Sequence, residues 1–133
     1  MKKKYFLNNI WELNFPIVKP CIIFLKWDLW AGKTTLSKHI LWNILWITDE
    51  VTSPTYTYYN KYAENYHFDL YRIWDYDEFF AIGWEDILDN LEWVALIEWP
   101  DKIEKYYQAD IEIRLEKTDD PNQREIEILK KAD

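Results

Sequence analysis

The residues best suited to chemistry lie at positions 27–35, in the segment WDLWAGKTT. A phosphate-binding loop has the pattern G-x-x-x-x-G-K-[ST], and the segment matches it everywhere except the first position, where Trp27 stands. In such a loop, backbone N–H groups hold the phosphates, the lysine reaches the β- and γ-phosphates, and the hydroxyl binds Mg²⁺. Lys33 and Thr34 are therefore the candidate contacts of a nucleotide site. The alternative is a helix start with a chance Gly-Lys-Thr-Thr.

Two carboxylates stand at the ends of predicted strands, where phosphoryl transfer needs acids for the metal and the attacking water. Glu98 follows the apolar residues 94–97, as a Walker-B-type acid does. Asp69 lies in the segment HFDLYR, residues 67–72. The chain has 24 Asp and Glu residues, so a solvated strand-end acid is the alternative for each.

The elements that must position these residues follow from the hydrophobic pattern. The apolar run at 21–26 predicts a buried strand before the loop, and the spacing of apolar residues from Lys33 to about Leu45 predicts a helix after it. The remaining chain predicts a hairpin of strands at 56–62 and 66–70, an acidic helical stretch at 75–91 broken at Gly83, a buried strand at 94–98, and a closing hairpin of 110–115 with 124–129. The predicted fold class is α/β. It is a single P-loop NTPase-type domain, residues 1–133, with a mixed parallel and antiparallel sheet flanked by helices.

Composition excludes several classes of protein. The chain has 133 residues, a net charge of −8 and one cysteine, Cys21, so a disulfide framework and a multi-cysteine metal site are excluded and a cytoplasmic setting is expected. No apolar run approaches the ~20 residues of a membrane helix, and the acidic balance argues against a large nucleic-acid-binding face. We expect Cys21 to be inert packing in its strand. His67 is expected to be packed or hydrogen-bonded rather than a metal ligand, and His39 to lie on the helix surface.

Five motifs in order resemble those of the TsaE family, the small P-loop ATPases of bacterial tRNA threonylcarbamoyladenosine synthesis. The family pattern is G-D-L-G-A-G-K-T-T, S-P-T-[FY], H-F-D-L-Y-R, I-G-x-E-[DE] and I-E-W-P. The corresponding segments here are WDLWAGKTT (27–35), SPTY (53–56), HFDLYR (67–72), IGWED (82–86) and IEWP (97–100). The resemblance covers roughly residues 20–130, and the last four motifs are not those of a generic P-loop protein.

The resemblance implies ATP binding and slow Mg²⁺-dependent hydrolysis, coupled to the TsaD–TsaB complex that modifies adenosine beside the anticodon. It implies catalysis by Glu98, Asp69 and Lys33, and Mg²⁺ binding by Thr34, Glu98 and Asp69. It places Ser53 and Thr55 in a switch loop, for which the residues alone leave a plain proline turn as an equal alternative, and Trp99 near the nucleotide. Nucleotide contacts are implied for Asp28, Leu29, Trp30, Ala31, Gly32, Lys33, Thr34, Thr35, Thr55 and Arg124. Contact with tRNA is expected to be indirect at most, no membrane is implied, and the oligomeric state is open.

Tryptophan replaces family glycines at Trp27, Trp30 and Trp46. The chain has 9 Trp and 2 Gly, whereas ordinary usage of about 7% predicts ~9 glycines. UGA is read as glycine in a few bacterial lineages and as tryptophan in others, so we hypothesise that these positions are UGA-encoded glycines. Trp84 and Trp99 fit as true tryptophans, and Trp11, Trp42, Trp74 and Trp93 are further suspects.

The identity of these residues decides the class of protein. With glycine at positions 27 and 30 the prediction is a slow ATPase. With two indoles in the loop the prediction is a catalytically dead interaction module, because a side chain at the first glycine position crowds the phosphates. A small P-loop kinase is the other alternative, although no lid or second substrate site is evident.

Overall fold

The structure, a computed structural model, describes residues 2–27, 36, 38–45, 59–71, 73, 75–81 and 83–131, with only the backbone of Leu7 and Trp27. Seven strands form one sheet. They are β1 (Lys2–Phe6), β2 (Cys21–Trp27), β3 (Tyr59–Tyr62), β4 (Asn65–Asp69), β5 (Val94–Glu98), β6 (Ile111–Lys117) and β7 (Gln123–Lys130). Their spatial order is β1-β7-β6-β2-β5-β4-β3.

The centre of the sheet is parallel and its margins are antiparallel. Strand β2 pairs in parallel with both β5 and β6, and β4 pairs in parallel with β5. The hairpins β3–β4 and β6–β7 and the pair β1–β7 are antiparallel. Parallel strands are buried on both faces, which is why β2 and β5 are continuous apolar runs in the sequence. The predicted mixed sheet and both predicted hairpins are confirmed.

Strand β1 is an element that the sequence pattern did not predict. Its sequence is KKKYF, and only Tyr5 is buried. It pairs with β7 at the margin of the sheet, where lysine-rich strands are common because they discourage pairing with other chains. A 3₁₀ turn, Leu7–Glu12, follows it and leads into β2 through an irregular segment.

The alternation of side chains along the strands divides the core into two layers. Ile23 on β2 and Leu96 on β5 lie in one buried cluster, together with Leu36 and Ile40 from the helical segment that follows β2. Phe24, one residue along β2, lies in the second cluster, against the helices α1 (Tyr76–Ala81) and α2 (Trp84–Asp89). The first layer is called the Leu36 face below, and it is the face that bears on the site.

The helical predictions are confirmed where the structure describes them. Leu36 and residues 38–39 are helical, and Ile40–Ile44 form a π-helical turn that ends where the Leu45 N–H donates to the Ile40 carbonyl over 2.9 Å. The acidic stretch divides into α1 and α2 at Gly83, whose φ of 89° is open to glycine at little cost. Within the described residues, no helix is long and apolar enough to cross a membrane.

His39 is buried, so the prediction of a surface histidine is wrong. Its side chain is 5% exposed, and Nε2 lies 2.6 Å from the carbonyl oxygen of Leu13. The Asn43 amide contacts Nδ1 over 3.1 Å. The ring therefore ties the segment before β2 to the helix after it, and both polar nitrogens are satisfied in the core.

The described tryptophans divide by burial. Trp84 is 1% exposed inside the second cluster, and the Trp99 ring packs on Tyr71. The described glycine suspects are exposed: Trp11 by 62%, Trp42 by 41% and Trp93 by 39%. Among the described non-glycine residues, positive φ occurs at Ala63 and Trp99, so backbone conformation does not require glycine at the three exposed positions. Trp30, Trp46, Trp74 and the side chain of Trp27 lie outside what the structure describes.

Candidate functional site

The two predicted acids end neighbouring parallel strands. Asp69 is the last residue of β4, Glu98 is the last residue of β5, and the two are register partners. Partners in a parallel ladder point to the same face about 4.8 Å apart along the hydrogen-bonding direction. The Leu70 N–H donates to the Glu98 carbonyl over 3.0 Å, so the backbone joins the two strands at this point. The sheet therefore brings Asp69 and Glu98 together, as an acid pair.

Glu98 lies beside the end of β2, from which the predicted phosphate loop starts. It is the register partner of Leu25, which belongs to the Leu36 face. Glu98 is 4% exposed, so it is not a solvated strand-end acid. Burial of a carboxylate is costly unless it is paired or coordinates an ion, and such a placement at the carboxyl edge of parallel strands is typical of a ligand site.

The carboxylate of Glu98 has a buried neighbour, His67. Nε2 of His67 lies 3.0 Å from Oε2 of Glu98, and the two side chains are 4% and 6% exposed. The approach is within ion-pair distance, but the ring N–H is not aligned for a hydrogen bond. His67 and Asp69 are two residues apart on β4 and so share the Leu36 face. The prediction that His67 is packed is confirmed.

The Asp69 carboxylate is half-buried, at the rim of the site. Its Oδ1 accepts a hydrogen bond from the Tyr71 N–H over 3.1 Å. The Tyr71 ring in turn packs against the Trp99 ring, with the centroids 5.0 Å apart. Trp99 directly follows Glu98 and has φ 57° and ψ 59°, the left-handed conformation, before Pro100 starts a 3₁₀ turn. The chain thus turns sharply away as soon as Glu98 has been placed.

Arg124 lies on the same face as the acids but three strands away. It is on β7, opposite Lys117 at the end of β6, and β7, β6, β2 and β5 are consecutive in the sheet. Three strand spacings amount to about 14 Å. Its guanidinium Nη1 donates to the carbonyls of Pro121 and Gln123 over 2.9 and 2.8 Å, within its own hairpin. The structure therefore does not bring Arg124 into contact with the acid pair.

The predicted loop residues lie outside the described part of the chain. They are Asp28, Leu29, Trp30, Ala31, Gly32, Lys33, Thr34 and Thr35, together with Ser53 and Thr55 of the predicted switch loop. Crowding of the loop by Trp27 and Trp30, which the sequence predicts, lies outside it too.

A metal ion would not be held by the described residues alone. Within the described ranges, no three His, Cys, Asp or Glu side chains form a group that could hold one. Mg²⁺, however, is commonly bound by one or two carboxylates together with substrate phosphates and water. An acid pair of Asp69 and Glu98 beside the end of β2 fits that donor set.

The sequence contains one further signal at this site. Polar side chains stand at alternate positions of β4, at Asn65, His67 and Asp69, and all three lie on the Leu36 face. The residues between them, Tyr66 and Phe68, are aromatic, so the alternation indicates that one face of the strand is polar and is turned to a site or to a buried network. Attention to that period of two would have placed His67 on the same face as Asp69.

Comparisons with known proteins agree with the geometry. The model of the family described as "Threonylcarbamoyl adenosine biosynthesis protein TsaE" matches residues 7–126. A protein named tRNA threonylcarbamoyladenosine biosynthesis protein TsaE from Haemophilus influenzae is 38% identical over 116 residues, which cover 84% of this chain and 71% of that one. One of the same name from Borreliella burgdorferi is 33% identical over 102 residues, covering 74% and 73%.

Among solved structures, "Bacillus subtilus YdiB" superposes with a TM-score of 0.63 at 28% identity, over 95% of this chain and 82% of that one. The sheet topology and this likeness confirm the predicted α/β fold of the P-loop NTPase type. Since the family model matches residues 7–126 of the 133, and the relatives match most of both chains, the chain belongs to the TsaE family.

Proposed function

We propose that the protein is an ATP-binding and ATP-hydrolysing accessory factor for the formation of threonylcarbamoyladenosine in tRNA, next to the anticodon. The observation that carries the proposal is the acid pair of Asp69 and Glu98 at the carboxyl edge of the sheet, beside the strand that leads into the GKTT segment. Membership of the TsaE family supplies the pathway. A kinase is not favoured, because the family that matches residues 7–126 is described as a threonylcarbamoyl adenosine biosynthesis protein.

The proposed chemistry assigns a task to each element of the site. Backbone N–H groups of residues 28–35 would hold the phosphates, and Lys33 would contact the β- and γ-phosphates. Thr34, Asp69 and Glu98 would hold Mg²⁺. An ion held there would supply positive charge to offset that of the phosphates. Glu98, buried and fixed at the end of β5, is suited to orient the attacking water.

The setting of this activity is also proposed. The protein partner is the TsaD–TsaB complex, tRNA is contacted indirectly at most, and the reaction takes place in the cytoplasm. Residues 1–133 act as one unit, which is supported by strands from both ends of the chain, β1 and β7, pairing in the same sheet.

Calorimetric titration of ATP and Mg²⁺ tests the nucleotide site. We expect negligible binding to the chain as printed and micromolar-class binding after Trp27→Gly with Trp30→Gly, because the loop then accepts the phosphates. Trp11→Gly with Trp42→Gly is the matched control, since it introduces two glycines outside residues 27–35 and should leave binding unchanged. Equal binding with and without the loop glycines would contradict the steric argument. No binding in either form would leave the interaction module as the function.

Steady-state hydrolysis tests the acid pair in the form that binds ATP. Glu98→Gln should lower kcat at least 100-fold, since the amide keeps the shape of the side chain and removes its charge. Glu92 is an exposed acid two residues before the start of β5, and Glu92→Gln should have no effect on kcat. If both variants hydrolyse ATP at the parent rate, Glu98 is not part of the machinery.

A further inference from the structure

His67, the buried neighbour of Glu98, is not among the residues to which the proposed function assigns a task. His67 is 3% exposed, in the middle of β4, and its Nε2 lies 3.0 Å from Oε2 of Glu98. The second ring nitrogen, Nδ1, is also buried and has no hydrogen-bond partner among the described residues. One side of the ring therefore faces the acid, and the other makes no polar contact in the described part of the chain.

Packing alone does not account for a histidine at this position. The register partner of His67 is Leu96, a fully buried apolar residue of the same face. A leucine or phenylalanine would fill the same space without burying two polar nitrogens, which is costly when they are unpaired. Because the polar contact that the ring makes there is with Glu98, that contact is what the imidazole adds over an apolar side chain.

The contact between His67 and Glu98 can stabilise Glu98 beside the second acid, Asp69. Asp69 and Glu98 are neighbours on the same face, and two carboxylates at this spacing repel each other. A ring N–H beside Oε2 of Glu98 offsets that repulsion and limits rotation of the carboxylate. The present geometry is close but not aligned, which is common for catalytic hydrogen bonds before the ligands are bound.

We propose that His67 is a positioning residue, which orients the Glu98 carboxylate through its Nε2–H and so sets the rate of ATP hydrolysis without touching the nucleotide. This rests on the proposed function, in which Glu98 serves the hydrolytic step. An outer partner of this kind typically changes activity by about 10- to 100-fold when it is removed.

Three substitutions at position 67 separate positioning from packing. Glutamine places its amide N–H near the position of Nε2, asparagine places it near Nδ1, and leucine supplies neither. In the ATP-hydrolysing form of the full chain, we expect His67→Leu and His67→Asn to lower kcat at least 10-fold with KM for ATP unchanged. His67→Gln should stay within about 3-fold of the parent. Thermal unfolding of each variant shows whether it is folded at the assay temperature.

The difference in kcat between the glutamine and asparagine variants decides the proposal. Full activity of His67→Leu, or equal losses in the glutamine and asparagine variants, would overturn it, because a role in packing alone does not distinguish Nε2 from Nδ1. Failure of the proposed function has a different signature. In that case the parent chain hydrolyses no ATP, or Glu98→Gln has no effect on the rate.

A measurement on the ring itself covers that case and any variant that fails to fold. The chain has two histidines, so long-range ¹⁵N–¹H spectra with His39→Gln for assignment isolate the His67 ring. We expect the proton on Nε2 in the parent chain and loss of this preference in Glu98→Leu. A proton on Nδ1 with Nε2 bare in the parent would exclude Nε2–H as the contact with Glu98, whether or not ATP is hydrolysed.

Discussion

Replacing Trp84 with alanine tests which tryptophans the fold depends on. Trp84 is the first residue of α2, and its ring is surrounded by the aromatic side chains of Phe79, Phe68 and Tyr59, with centroid distances of 5.3, 6.1 and 6.2 Å. All three contacts have tilted or edge-to-face geometry, which aromatic rings prefer. Trp11, 62% exposed, is the comparison, because it lies on the surface of the same chain.

The expected loss follows from burial. Complete burial of about 250 Å² of tryptophan surface at about 25 cal/mol per Å² corresponds to ~6 kcal/mol, an upper bound because unfolded chains already bury part of it. Measured truncations of buried tryptophan cost about 3–5 kcal/mol, so we expect about 4 kcal/mol for Trp84→Ala. At ~2.1 cal/mol/K per residue, the unfolding entropy of this chain is ~0.28 kcal/mol/K, which makes the expected shift in Tm about 14 °C.

The assay is calorimetric or circular-dichroism thermal unfolding of both variants under the same conditions. Trp11→Ala should change the free energy of unfolding by no more than about 0.5 kcal/mol, or ~2 °C in Tm, as exposed substitutions do. A Trp84→Ala variant within ~3 °C of the parent would refute the reasoning that the aromatic cluster holds α2 to the sheet. A large loss for Trp11→Ala would refute the division of tryptophans into structural residues and glycine suspects.

Two further outcomes follow from ionisable groups. Burial raises the pKa of the Cys21 thiol to about 12, so alkylation near pH 8 should be about 10³-fold slower in the folded chain than in denaturant, as followed by mass spectrometry. Burial alone would raise the pKa of Glu112, but hydrogen bonds from Lys26 and Arg114 outweigh it and hold the pKa below 4.5. The native state therefore gains stability from Glu112 above pH 4.5 and loses it as the pH falls further. Glu112→Gln should lower Tm by ~4 °C at neutral pH, about 1 kcal/mol, and by nothing near pH 2; an unchanged deficit in acid would contradict the assignment.

The sequence predicted the strands whose residues show a pattern of burial, either an apolar run or alternation. The buried runs of β2 and β5 and the alternation in β6 and β7 are visible in the residues themselves, because burial on one or both faces dictates their pattern. The strand β1 gave no such signal, since its three lysines face solvent at the margin of the sheet and pairing with β7 alone defines it. His39 was misplaced for a related reason: its partner, the Leu13 carbonyl, lies 26 residues earlier in the chain.

For the candidate site, the sequence predicted the position of each acid on its own strand but not the contacts between strands. Asp69 and Glu98 could be placed at the ends of two strands from local pattern alone. That these strands are adjacent, in parallel and with these residues in register is a property of the sheet, which no local pattern contains. The contact between His67 and Glu98 follows from that register, and so does the distance of Arg124 from the acids.

Two contacts join the backbone segments that carry the acids. The Leu70 N–H, next to Asp69, donates to the Glu98 carbonyl, and the Tyr71 ring packs on Trp99, next to Glu98. The main chain sets the separation of the acids' Cα atoms, and one ring pair supports it. A substitution at Tyr71 or Trp99 therefore displaces both carboxylates together, and its effect should not add to that of replacing either acid. Natural or engineered change in the main chain at this edge of the sheet is therefore expected to move both acids together.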